Sequence, residues 1–420
     1  MKKESNNVLD YPKKFFWGAS ISAYQVEGNN HNQWTVWELE NAKVRAAQSE
    51  YQLANYSNWG QIKLEARDPR NYVSGVLADH YNKYLDDFDL LEKMNMNAFR
   101  FSVEWSRIEP KEGAWNVAAI KHYKEYVDEL SRRGIEPIMT LFHFTLPVWF
   151  VEKGGFEKRS NVKYFTRFAK KIVSELGRRV KFIITINEPE IYTIEGYHLG
   201  NWPPALDNNF KCWRVANNLA FAHIQASKSI HKLSRRYKVS ISKNSKYYRS
   251  DGALLSRLSA FIMQYIQDDY FIKKVVKYCD FIGVNYYFSS NVHGSKAHDS
   301  EDHVSDIGWG MQPSDIQCVL ERLHNKYNLP IIITENGLAD VNDDNRRWWI
   351  SKTLIGIHKA MKNGVKVQGY LHWSLIDNFE WAYGKWPRFG LASVDYKTGE
   401  RKLRPSAIWY GRIIKKIREL

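Results

Sequence analysis

Cysteine is scarce in this chain: 420 residues hold three, Cys212, Cys279 and Cys318, with no CxxC pair and no Cys/His spacing. An odd count without a framework excludes a disulfide-stapled scaffold and a zinc module, and it points to a reducing compartment. Long apolar runs are missing too. None approaches the ~18 residues of a membrane span. The first fourteen residues are polar and lack the apolar core of a signal peptide. A cytoplasmic protein with no membrane partner is therefore expected. There is no low-complexity tract and no internal repeat. GxGxxG, GxSxG and HExxH are all absent, so the sequence carries no sign of nucleotide, serine-hydrolase or zinc-protease chemistry.

What is present describes a globular protein. Hydrophobic residues make up 44% and charged residues 25%, enough for a sizeable core. The length fits one large barrel or several ordinary domains and does not decide between them. Lys and Arg outnumber Asp and Glu by 61 to 46, a net charge of +15. Such a balance suits nucleic acid or an anionic surface. The basic residues are spread along helices, however, without an RNP, zinc-finger or basic-arm pattern. The reading is a solvated basic surface and no nucleic-acid partner. Sixteen Trp contribute to an aromatic content of 15%, which serves core packing and sugar stacking equally well.

Chemistry is concentrated at residues 330–337, Pro-Ile-Ile-Ile-Thr-Glu-Asn-Gly. Three consecutive Ile predict a strand buried on both faces, as in a parallel sheet covered by helices. Glu335 follows where the strand leaves the sheet, with Gly337 to turn the chain. The carboxyl-terminal edge of parallel strands is where α/β proteins place their chemistry. A loop acid that caps the next helix fits this one motif equally well. Residues 182–189, Phe-Ile-Ile-Thr-Ile-Asn-Glu-Pro, repeat the pattern and deliver Glu188, with Pro189 ending the strand. Two strand-end carboxylates on one barrel face are what glycoside cleavage requires.

Strand and helix patterns alternate along the chain. Strands are expected at 15–20, 98–105, 135–141, 182–187, 239–242, 281–284, 331–335 and 367–373. Helical stripes separate them, such as Ile120, Tyr123, Val127 and Leu130, or Phe165, Phe168, Ile172 and Leu176. Gly134 and Gly177 close two of these helices. Arg100 interrupts an apolar strand and must be paired, since a lone buried charge is costly. Residues 38–54 have helical composition and 67–71 read as a turn, but the segment 30–78 is otherwise hard to read. His293, His298 and His303 match no metal spacing. With no linker between elements, the prediction is an α/β fold: a single (β/α)8 TIM barrel over residues 1–420, with extended βα loops.

Several stretches resemble glycoside hydrolase family 1, the retaining β-glycosidases. Thr185-Ile186-Asn187-Glu188-Pro189 and Ile333-Thr334-Glu335-Asn336-Gly337 look like its two signature motifs. The opening Phe15-Phe16-Trp17-Gly18 with Tyr24-Gln25-Val26-Glu27-Gly28 is similar to the family's start. So are the segments 99–105 around Arg100, His143-Phe144-Thr145-Leu146-Pro147, Gly283-Val284-Asn285-Tyr286-Tyr287, and Trp373 through Trp381. The resemblance implies Glu335 as nucleophile and Glu188 as acid/base. Gln25, His143, Asn187 and Glu380 would bind sugar hydroxyls, and Trp373 and Trp381 would form apolar walls. It places Arg100 beside the nucleophile and Asn285 and Tyr287 facing the two carboxylates. It also implies a cis bond between Trp373 and Ser374. Trp202 is a candidate for the outer subsite.

The function so implied is hydrolysis of terminal β-D-glucosides, and of β-D-galactosides and fucosides, by double displacement. The partner is a small β-glycoside or oligosaccharide. No cofactor and no metal is called for. Two alternatives stand beside it. One is a 6-phospho-β-glycosidase, against which stand Glu380 and the presence of Pro387 and Phe389 where such relatives align Lys and Tyr. The other is a carbohydrate-binding barrel without catalysis, since fold alone does not imply activity.

Overall fold

The computed structural model describes residues 10–299 and 303–419. Residues 1–9 of the polar amino-terminal stretch, and 300–302 of the loop 288–312, lie outside the described residues. Eight parallel strands close into a barrel: β1 (Phe16–Ser20), β2 (Ala98–Ser102), β3 (Glu136–Phe142), β4 (Phe182–Asn187), β5 (Lys238–Asn244), β6 (Ile282–Asn285), β7 (Ile331–Glu335) and β8 (Val367–Trp373). Each pairs with its sequence neighbours, and β1 pairs with β8 to close the ring. The expected order of eight strands is the observed one.

Every strand position from Ile331 to Glu335 is buried, as a triple-Ile run predicts for a strand covered on both faces. Inside the barrel, Ala98, Ile138, Ile184, Ile332 and Leu371 form one apolar layer. Phe182 lies between Phe16 and Phe281, with ring centroids 5.2 and 5.9 Å away, and plugs the floor. The larger core lies between strands and helices. Ile120, Tyr123, Val127 and Leu130 all face it from the helix Val117–Arg132. Because the floor is filled, the open end at the carboxyl-terminal strand edge is left for a ligand.

The segment 30–78 is mostly helical. A helix spans Gln33–Leu53, five residues earlier than composition suggests. Asn32 caps it by accepting from the Trp34 and Thr35 amides, and Thr35 bonds back to the Asn32 amide. This reciprocal cap fixes the start. The expected turn at 67–71 is a short 3-10 helix, Pro69–Tyr72, led by Asp68. One feature went unforeseen. Tyr247–Ser250, Ser289–His293 and Lys296–Asp299 form a small sheet outside the barrel that strand patterning did not predict.

Candidate active site

At the carboxyl-terminal edge of the strands, a cavity of roughly 670 Å³ is lined by His143, Asn187, Glu188, Tyr287, Glu335 and Glu380, among others. That volume is ample for a sugar and part of its leaving group. Trp373 and Trp381 line it as well. Gln25, Arg100 and Asn285 stand next to this lining and touch Glu380, Glu335 and Glu188 in it.

Glu335 ends β7 and is nearly fully buried. Its Oε1 is paired with the Arg100 guanidinium, and its Oε2 accepts from the Tyr287 hydroxyl at 2.7 Å. Arg100, wholly buried in β2, also donates to Thr140 Oγ1 at 3.0 Å and to Asn187 Oδ1 at 2.7 Å. The charge that interrupts an apolar strand is thus paired on every side. Burial first, then the charge of Glu335, pushes the Tyr287 hydroxyl well above its usual range, so it stays a donor.

Glu188 leaves β4 in the left-handed region, with φ +39° and ψ +62°. A non-glycine residue there costs about 1–3 kcal/mol and persists only where its surroundings hold it. Pro189 starts the short helix Pro189–Thr193 immediately afterwards. Asn285 Nδ2 donates to Glu188 Oε1 at 2.6 Å, and Asn244 Nδ2 does so at 3.2 Å. No cation pairs with it among the described residues. Burial, then Glu335, then Glu190 push its carboxyl well above the usual carboxylate range, against the two amides. Burial is the larger cause and the charge of Glu335 the second.

His143 leaves β3 and accepts at Nε2 from the Asn187 side-chain amide at 3.1 Å. Its Nδ1 is buried without a protein partner. Burial, then Arg100, holds the ring well below its usual pKa and therefore neutral. It lies nearly parallel to both Trp373 and Trp381, at ring-centroid distances of 5.9 and 6.0 Å. The Trp373–Ser374 bond is cis. Trp202 packs against Trp381 at 5.5 Å and lines the outer cavity.

Gln25 is hydrogen-bonded within the protein. Its amide is satisfied by Ser22, Asn378 and the Phe379 carbonyl, and it reaches Glu380 Oε2 only at 3.4 Å. It therefore props the loop that carries Glu380, whose carboxyl is pushed up to about 8 by burial and by Glu335. Gly337 permits a close approach, since a Cβ there would sit 1.8 Å from the Trp373 carbonyl.

Sequence reasoning passed over Lys243, fully buried at the end of β5. Its Nζ lies 2.7 Å from Glu190 Oε1, and Glu190 in turn accepts from the Asn244 amide at 2.8 Å. The rule that singled out Arg100, a charge inside an apolar strand, selects Lys243 equally. Asn244 and Thr140 carry no such signal.

A sequence model described as glycosyl hydrolase family 1 matches residues 8–277 and 246–419. Beta-glucosidase A of Thermotoga maritima is 29% identical over 460 residues, covering 97% of this chain and 98% of that protein. A 6-phospho-beta-galactosidase of Clostridium acetobutylicum is 29% identical over 480 residues, covering 96% and 97%. A solved structure of a beta-glycosidase from Pyrococcus horikoshii superposes with a TM-score of 0.85 at 34% identity, covering 97% of this chain and 95% of that one. With the barrel, the paired strand-end acids and a match along nearly its whole length, the chain belongs to glycosyl hydrolase family 1 and is a glycoside hydrolase.

Proposed function

We propose that one (β/α)8 domain spanning residues 1–420 hydrolyses terminal non-reducing β-D-glucosides, and β-D-galactosides and fucosides, with retention of configuration. The observation that carries this reading is the contrast between two acids in one cavity. Glu335 has a cation and a phenol as partners. Glu188 has, among the described residues, neutral amides as its partners, and a carboxyl pushed upward. Environments that drive two acids apart assign their roles.

In the first step the Glu335 carboxylate bonds to the anomeric carbon while Glu188 gives its proton to the glycosidic oxygen. The aglycone leaves as an alcohol. Glu335 is now an ester without charge, so one of the forces holding the proton on Glu188 is gone. Glu188 then takes a proton from water, which attacks the same carbon from the opposite side and releases Glu335. Two inversions give net retention. Asn187, fixed by Arg100 and Asn285, is suited to hold the 2-hydroxyl, a contact that tightens in the transition state. His143 Nδ1, Glu380 and the flanking indoles would hold the rest of the sugar.

The 6-phospho reading has the Clostridium relative in its favour. Against it, Phe389 packs on Tyr287 at 6.4 Å and supplies no phosphate donor. The deciding experiment is a panel of aryl β-glycosides, including 6-phosphoglucoside, assayed with wild-type protein and Glu335→Ala. Release from the unphosphorylated glucoside, abolished by the substitution, with the β-anomer forming first by NMR, is the expected result. An α-anomer would end the retaining mechanism. No release from any glycoside would leave only a sugar-binding barrel.

A further inference from the structure

The helix Leu254–Gln264 is built inside out. Leu254 is 84% exposed, Phe261 68% and Ile266, in the turn of π-helix that follows, 64%. Leu255, Leu258 and Ile262 are exposed as well. The buried side is polar or small: Ser256, Ala260, Gln264 and Asp268. A helix that packs on a core shows the reverse pattern. Positions 254, 258, 261, 262 and 266 fall on one face at helical spacing, and a contiguous apolar patch of that kind marks an interaction surface.

Charge says what it meets. Residues 246–277 contain six Lys or Arg and three Asp. Asp268 and Asp269 are buried and paired with Arg322 and Lys326, and Arg249 is paired with Asp315, which leaves Asp251, 3.1 Å from His293, against exposed Arg257, Lys273 and Lys277. The exposed rim is therefore positive. Arg257 lies among the exposed leucines, Lys273 covers the ring of Tyr265 at 4.6 Å, and Lys277 is exposed. The whole chain adds its +15. An apolar strip rimmed with cations matches the interface of an anionic bilayer. A second copy bearing the same charge would be repelled.

The strip also adjoins the cavity. Gln264 Nε2 donates to the Lys246 carbonyl at 2.8 Å and Gln267 Nε2 to the Asn244 carbonyl at 3.3 Å. Asn244, Lys246 and Gln267 all line the cavity, so the apolar helix and the outer cavity share one wall. We infer that this face seats the barrel on an anionic bilayer surface and brings the cavity to the sugar headgroups of membrane glycolipids. The contact is superficial, because no helix among the described residues is long and apolar enough to cross a membrane. It revises the expectation of no membrane partner. The substrate half of the inference rests on the proposed glycosidase activity, while the docking half stands without it.

The test uses the full chain and its Leu258→Glu/Phe261→Glu/Ile266→Glu variant, whose side chains are exposed and outside the cavity. Both are sedimented with phosphatidylcholine vesicles, with and without phosphatidylglycerol, and sized by ultracentrifugation. Wild-type protein should bind the anionic vesicles, and the triple variant about tenfold or more weaker. Aryl β-glucoside turnover should be the same in both, whereas hydrolysis of a β-glucosyl diacylglycerol in the vesicles should fall with binding. Absence of wild-type binding, equal binding by the variant, or equal binding to neutral vesicles would overturn the inference. So would a wild-type dimer that the substitutions dissociate without any vesicle binding. Sedimentation of Glu335→Gln separates the two claims, because it reads docking when turnover is absent.

Discussion

Gly337 meets Trp373 where β7 and β8 open onto the cavity, so closely that a Cβ on the glycine would lie 1.8 Å from the tryptophan carbonyl. The Trp373 amide meanwhile donates to the Asn336 carbonyl at 3.0 Å. One residue separates Gly337 from Glu335, so a displaced backbone here displaces the nucleophile. Gly337→Ala should lower kcat on an aryl β-glucoside by about 100-fold, the scale of a 1 Å misplacement, and should lower Tm as well. An active, fully stable variant would show that β8 yields without cost.

Glu188→Ala separates the two half-reactions. An aryl leaving group needs little protonation, so it still departs and Glu335 is still esterified. Water, however, has lost its base, and turnover should fall by about 10²–10⁴-fold. Azide is small, anionic and needs no base. Added to this variant it should restore release and yield the β-glycosyl azide, identified by NMR. No rescue, or an α-azide, would remove Glu188 from the acid/base role.

Glu190 raises the pKa of Glu188 through its charge, third after burial and Glu335. Around Glu188 stand Glu335, Glu190 and the amides of Asn285 and Asn244, with Lys243 behind Glu190. Glu190→Gln removes one repelling charge and leaves Lys243 less neutralised. Both changes favour ionised Glu188, so its proton is lost at lower pH. The basic limb of kcat/KM should move to lower pH, while the carbonyl oxygen of Gln can still accept from the Asn244 amide. An unmoved limb would show that another group sets it.

Much of this architecture was legible because burial on both faces writes itself as continuous Ile and Phe runs, and barrel helices as stripes every third or fourth residue. Glu335, Glu188, Arg100 and His143 each stand at or inside such a run, where a polar residue is conspicuous. Gln25 looked like a sugar contact because its neighbours match the family. Its hydrogen bonds to Ser22, Asn378 and Phe379, up to 354 positions away, have no signature in the local sequence. The helix Gln33–Leu53 was only half seen, since Trp34 and Trp37 at its start have no strong helical preference and the deciding bond is the Asn32 cap. The exposed face of 254–266 has core-like spacing. Periodicity cannot say whether an apolar stripe faces in or out, because that depends on which side its polar neighbours find partners.

The last prediction concerns stability, where the acid/base works against the fold. Glu188 is buried, with no cation paired to it among the described residues, and burial holds its folded pKa well above the usual carboxylate range. For such a group the folded state holds a proton that the unfolded chain releases earlier. Stability is therefore undiminished below the unfolded pKa of about 4.3 and falls as pH rises from there towards the folded pKa. Glu188→Gln keeps the shape and cannot ionise. Its Tm should equal that of wild type near pH 4 and exceed it at pH 8 by about 2 °C or more, with activity on unactivated glucosides lost. Calorimetry across that range checks the sign. A variant less stable than wild type at pH 8 would mean that ionised Glu188 is better accommodated than its burial and neighbours imply.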